Sequence, residues 1–167
     1  AVPTDIVIGP ESPSNELTAT ASGIILGESG DGVKVQVYLS AGCEGESVAT
    51  GVAEDTDTGV VFSVDVEVEE NSVNSLYFVT VDAAGNASSC TEEALSYEHD
   101  SVPPTAPALI ESDPLSPGNE LDVILYGSTE EGAVVDIYDS SDCSGDALEL
   151  NTDGGDGNWV AFVPAAE

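Results

Sequence analysis

The chain has 167 residues, with one Lys, one His and 33 Asp plus Glu, and a formal charge of −32. Nucleic acid and an anionic membrane surface are excluded as partners, because both are held by neutralising phosphate with Lys and Arg, and Lys34 is the only such residue. No apolar run approaches the roughly 18 residues of a spanning helix, and no basic segment precedes a short apolar one, so a soluble chain without direct membrane insertion is expected.

Charge this high accompanies disorder when apolar residues are scarce, but here 41% of residues are apolar and the Val, Ile and Leu alternate in order. The chain therefore reads as folded. An opening strand is expected near residues 5–8, then one over 17–26. Val33, Val35, Val37 and Leu39 share one face of the next, with Lys34, Gln36 and Tyr38 on the other. Residues 47–53 follow. Phe62, Val64, Val66 and Val68 alternate with Ser63, Asp65, Glu67 and Glu69, and residues 76–82 and 90–97 complete the set. Turn residues such as Gly30-Asp31-Gly32 and Ala84-Gly85-Asn86 separate these stretches. No segment holds an apolar 3.6-residue period long enough for a helix. Seven strands at this spacing fit an immunoglobulin-like sandwich.

After residue 100 the pattern begins again. Ser12-Pro13-Ser14-Asn15-Glu16-Leu17 recurs as Ser116-Pro117-Gly118-Asn119-Glu120-Leu121 at an offset of 104. Residues 27–38 match 127–138, and Cys43-Glu44-Gly45 matches Cys143-Ser144-Gly145, at an offset of 100. One four-residue gap reconciles the two offsets. Strands are expected near 108–111, 121–126, 133–138, 147–150 and 158–163, while a counterpart of residues 71–100 is missing. The expected organisation is a complete sandwich over 1–100 and a partial one over 101–167 that lacks its last two strands. The absence of Met, even at position 1, suggests a processed or excised piece. The open edge of the partial unit calls for completion by a following segment or another chain. A neighbouring copy adding its residues 1–13 as a strand would propagate head to tail into a fibre.

Three cysteines without a CxxC do not indicate zinc. Cys43 follows one expected strand and Cys90 begins the last of the same copy, so the two are expected to form a disulfide, two buried thiols being the alternative. Closing a loop of about 48 residues stabilises by roughly 4 kcal/mol on chain-entropy grounds. Cys143 repeats Cys43, and the repeat of Cys90 falls in the missing part, which leaves Cys143 unpaired or bonded to another chain. Such cysteine usage favours an oxidising, extracellular setting.

The opening Asp100-Ser101-Val102-Pro103-Pro104-Thr105-Ala106-Pro107, the Gly127-to-Tyr138 strand pair with Cys143, and Thr80-Val81-Asp82-Ala83-Ala84-Gly85-Asn86 carry a resemblance. The chain resembles the bacterial immunoglobulin-like repeats found in tandem in large secreted adhesins and cell-surface proteins. That resemblance covers the whole chain and implies rigid spacers and adhesive stalks, often stiffened by calcium at the joints.

So many carboxylates on two small units need compensating cations, since an exposed pair 5 Å apart repels by roughly 0.8 kcal/mol in water. Calcium takes six to eight oxygen ligands and is the expected cofactor. Candidate ligands are Asp55 and Asp57 in one Gly-flanked stretch, Asp153 and Asp156 in another, and Asp82 with Asn86 in a hairpin. Glu98 and Asp100 at the junction are expected to meet Glu130 and Glu131 of the next unit's loop. A solvated acidic surface with Asp-Gly turn chemistry is the plainer alternative. No catalysis is expected: His99 reads as a linker residue without a nucleophile pattern, no Gly-rich phosphate loop carries a Lys, and among so many acids a carboxylate pair carries no information. Trp159 reads as the core anchor of the second unit rather than a sugar-stacking platform. The expected function is a non-enzymatic extracellular stalk, adhesin or filament module whose partners are neighbouring copies or repeats. The alternatives are a glycan or cell-surface ligand-binding module and an accessory part of a secreted hydrolase.

Overall fold

The computed structural model describes residues 1–27, 30–57, 59–153 and 155–164, without the side chains of 149–153. Twelve strands and no helix occur among the described residues, and every strand pairing is antiparallel. The chain divides into two compact units, Ala1–Val102 and Pro103–Glu167.

In the first unit β1 (Thr4–Gly9), β2 (Thr18–Ile25), β3 (Lys34–Tyr38), β4 (Ala49–Thr56), β5 (Gly59–Glu67), β6 (Val73–Val81) and β7 (Leu95–Glu98) join in the order β1-β2-β5-β4-β3-β6-β7. The alternating Val and Phe positions set one face of each strand inward. Phe62, Val64 and Val66 of β5, with Ala21 of β2, meet Val35 and Val37 of β3 and Leu76 and Phe78 of β6 in one buried cluster, against which Ile6, Ile8 and Leu95 pack. The rings of Phe62 and Phe78 lie 6.3 Å apart between strands that are not ladder neighbours, so the ladder folds back on itself as in a β-sandwich. β4 makes the turn between layers. Its first half pairs with β3 and its second half with β5, and Gly51 allows the passage because a Cβ there would overlap the Ser63 carbonyl and Val64.

The second unit contains β8 (Ala108–Asp113), β9 (Asp122–Ser128), β10 (Val134–Ile137), β11 (Glu149–Asp153) and β12 (Asn158–Pro164). They form a three-stranded sheet β12-β9-β8 and a two-stranded sheet β10-β11. Val135, Trp159 and Ala161 are buried, with Leu125, Ile137 and Val163 packed against them.

Both units seat an aromatic ring on a strand glycine. Gly23 of β2 pairs with Phe62, and Gly127 of β9 pairs with Trp159. A Cβ at Gly23 would meet the Phe62 ring and the Thr4 carbonyl; at Gly127 it would meet the Trp159 indole and the Ala108 carbonyl. A bulge in the first strand of each unit lies beside that glycine, between Thr4 and Val7 and between Leu109 and Glu111. Gly127 is therefore the counterpart of Gly23, not of Gly27, which occupies a turn after β2 with φ +73°. The four-residue gap lies after this glycine, and the sequence match of Gly27 to Gly127 is corrected accordingly. Volumes compensate across the next pair inward: Ala21 faces Val64 in one unit, Leu125 faces Ala161 in the other.

Three expectations change. The last strand of the first unit starts at Leu95, not at residue 90. Upstream of it the Ser88 and Thr91 hydroxyls accept the Thr80 and Phe78 N–H groups at 3.1 Å, taking from β6 donors that a regular strand would have paired. β4 runs to Thr56, so Asp55 is a strand residue and its hairpin with β5 is tight, Thr56 pairing with Gly59. His99 is not a linker residue but lies buried at the end of β7.

Candidate functional site

The cysteine loops are the feature the two units share most closely. Cys43 and Cys90 form a disulfide with Cα atoms 5.6 Å apart, while Cys143 is free and exposed. Cys43 has φ 55° and Cys143 φ 54°; Gly45 and Gly145 have φ 92° and 93°. Ser40 Oγ donates to the Glu44 carbonyl at 2.6 Å, and Ser140 Oγ to the Ser144 carbonyl at 2.7 Å. The Cys43 N–H reaches the Ser40 carbonyl and the Cys143 N–H the Ser140 carbonyl, and the loops rejoin their strands through Val48 to Val37 and Leu148 to Ile137. The second loop adds Asp142, whose carboxyl is held below its ordinary value first by the Ser144 hydroxyl and then by the Ser144 N–H. The cysteine at the left-handed position is thus presented alike in both units, bonded in one and open in the other.

Several of the candidate calcium ligands are engaged as turn and loop braces. Asp55 Oδ1 accepts the Gly30 N–H at 2.9 Å, where Gly30 lies so close to the Glu54–Asp55 backbone that a Cβ would collide with it. Asp57 follows β4, and Thr58 of the same stretch lies outside the described residues. Asp82 Oδ1 accepts the Ala84 and Asn86 N–H groups, and Oδ2 accepts the Asn86 side-chain amide at 2.9 Å. The Asn86 amide, then its N–H, followed by those of Ala84 and Gly85, hold the Asp82 carboxyl below its ordinary value. Asp82 and Asn86 face each other as acceptor and donor. Asp156 accepts the Asn158 N–H at 3.1 Å; the Asp153 side chain and Gly154 lie outside the described residues. In the first unit Asp100 accepts the Val102 N–H at 2.9 Å and Glu98 is exposed on β7. In the second, Glu130 accepts the Thr105 N–H at 3.2 Å and Glu131 is exposed. Among the described residues no group of three or more His, Cys, Asp or Glu side chains comes together to hold a metal ion. Asp55, Asp82, Asp100, Glu130 and Asp156 thus accept main-chain N–H groups within their own units.

His99 is 2% exposed. Its Nδ1 accepts the Asn71 N–H at 2.9 Å, and its own N–H donates to the Ser72 carbonyl. Asn71 has φ 50°, a conformation that turns its N–H inward and leaves its side chain to accept the Ser101 N–H. The histidine thus ties the β5–β6 loop to the end of β7. The signal for this was the alternation of Tyr97 and His99 on one face of the last strand.

A groove of about 490 Å³ crosses the outer face of the first unit, with Val7, Ile24, Val52 and Val61 in its lining and Asp5 and Glu54 beside them. β3 lies between β4 and β6, but among the described residues β10 pairs with β11 and no strand takes the place of β6. Ala19, Ala21, Val37 and Val66 are buried, whereas their counterparts Val123, Leu125, Ile137 and Val163 are only half-buried.

No family model matches the chain, and no curated protein matches it significantly. Among the described residues no helix is long and apolar enough to cross a membrane.

Proposed function

We propose that the chain is a non-enzymatic extracellular structural module: tandem immunoglobulin-like β-sandwich repeats that act as a spacer in a stalk or filament of the bacterial adhesin kind. One observation carries this reading. The same cysteine loop and the same glycine-seated aromatic are built twice along one acidic chain, roughly 100 residues apart, as expected of units whose job is to be repeated. The disulfide supports an oxidising setting.

Pulling single molecules tests the spacer role. Residues 43–90 are shielded from force while Cys43 and Cys90 are bonded, so reduction lengthens the extended chain by about 160 Å. The first unit unfolds as a distinct force peak under this reading; a chain that extends without one sinks the spacer role.

A second reading, ligand binding, has a specific observation in its favour: the groove with its apolar lining and two carboxylates. A glycan array separates the two. A spacer gives no saturable binding at any concentration, and saturable binding abolished by Val52→Asp favours the second reading.

A further inference from the structure

We propose that the groove on the outer face of the first unit binds a linear aliphatic diammonium, a cation of the polyamine class, with one charge at Asp5, the other at Glu54 and the methylene chain between them. The inference rests on the ligand-binding reading of this groove and names its ligand class. Four residues follow one another in a single row across the sheet: Asp5 in the bulge of β1 beside the Thr4–Ile24 pair, Ile24 of β2, Val61 of β5 and Glu54 of β4. The middle two are apolar and half-buried, and the outer two are acidic and exposed. Val7 and Val52, 62% and 61% exposed, widen the apolar surface beside them. The volume of about 490 Å³ lies within the range of small-ligand sites.

Other carboxylates on this face are already engaged. Asp65 accepts the Thr20 hydroxyl at 2.7 Å and Glu67 the Thr18 hydroxyl at 3.0 Å, each from its cross-strand partner. The carboxylates of Asp5 and Glu54 have no hydrogen-bond or ion-pair partner among the described residues. Lys34, the only Lys, pairs with Val52 and Val81 and does not line the groove. Two free negative charges on opposite sides of an apolar floor match a ligand with the same arrangement in the opposite sign. A second copy of the chain, itself at −32, is repelled, and a neutral ligand leaves both carboxylates unmatched. Spacing then sets the ligand's length. β1 and β4 lie three strand steps apart, about 14 Å. A charge-assisted contact of about 2.8 Å at each end leaves about 8 Å between the two cations, the reach of roughly six methylenes. The methylene chain covers Ile24 and Val61 as a Lys stem covers apolar surface.

The test titrates hexamethylenediamine into the full 167-residue chain with its disulfide intact, at physiological salt, where exposed charges are screened beyond about 8 Å. Methyl and amide NMR shifts locate the binding. The expected result is saturable shifts centred on the methyl groups of Val7, Ile24, Val52 and Val61. Affinity is at least about threefold higher than for hexylamine, which has one charge, or for ethylenediamine, which lacks the apolar span. Asp5→Asn and Glu54→Gln each bring hexamethylenediamine down to the hexylamine level, and Val61→Ser removes the preference over ethylenediamine. The amide spectrum outside the groove reports that each variant is folded. Equal affinity for the three amines, shifts spread alike over the acidic positions of both units, or equal binding of neutral hexanediol overturns the inference. Saturable glycan binding abolished by Val52→Asp, without a diamine response, removes this inference and keeps the ligand-binding reading, so the two fail separately.

Discussion

His99 is flanked by Glu98 and Asp100, both exposed, yet its ring is buried and serves as the acceptor for the Asn71 N–H. Replacing it with Leu keeps the bulk and strands that donor, a loss of about 1–3 kcal/mol in the first unit, which urea unfolding followed by far-UV circular dichroism will show. Asp82 works at the surface. Its carboxyl is depressed by N–H donors, so its contribution is full above the ordinary value of 3.8 and is lost as pH falls through the lower folded value. Asp82→Asn therefore lowers stability at neutral pH, and the mutant and wild-type curves converge as pH drops below about 4. At Gly127 there is no room for a methyl group. Gly127→Ala is expected to cost the second unit roughly 1–3 kcal/mol, and the sole tryptophan, Trp159, reports that unit's melting by fluorescence.

Among the elements, the disulfide ties the loop after β3 to the stretch between β6 and β7, closing a long loop across the sandwich. Removing it with Cys43→Ser and Cys90→Ser together costs about 4 kcal/mol by chain entropy, visible as a lower denaturation midpoint of the first unit with the slope little changed. The strands themselves could be read from alternation. Each of the twelve overlaps a stretch expected to be extended, and in β3 and β5 the period-two alternation sets the inward face, because an inward face must be apolar and an outward one need not be. Their ends could not. Thr91 falls in a stretch expected to be strand, and only the proximity of β6 turns its hydroxyl and that of Ser88 into acceptors for N–H groups of β6.

For the whole molecule the dominant fact is 33 acidic residues with a single Lys to offset them, a net charge of −32. Self-repulsion opposes the compact state and is screened over roughly 8 Å at physiological salt against about 30 Å at 0.01 M. Both units are therefore expected to melt at lower temperature in dilute buffer. Sodium chloride should restore them as it screens the carboxylates; a melting temperature independent of ionic strength would contradict this.

The amino-acid sequence by itself determined the all-β class, the repetition, the pairing of Cys43 with Cys90 and the anchoring role of Trp159, because alternation, duplicated motifs and cysteine placement are one-dimensional patterns. It also placed Asp82 and Asp156 in turns, but not what they do there. Only the tertiary structure decided that Asp55, Asp82 and Asp156 accept main-chain N–H groups, that Gly127 answers to Gly23, and that His99 is inside. Each of those depends on what a strand distant in sequence brings alongside, and a carboxylate, a glycine or an imidazole carries no mark of its neighbour until the chain has folded against it.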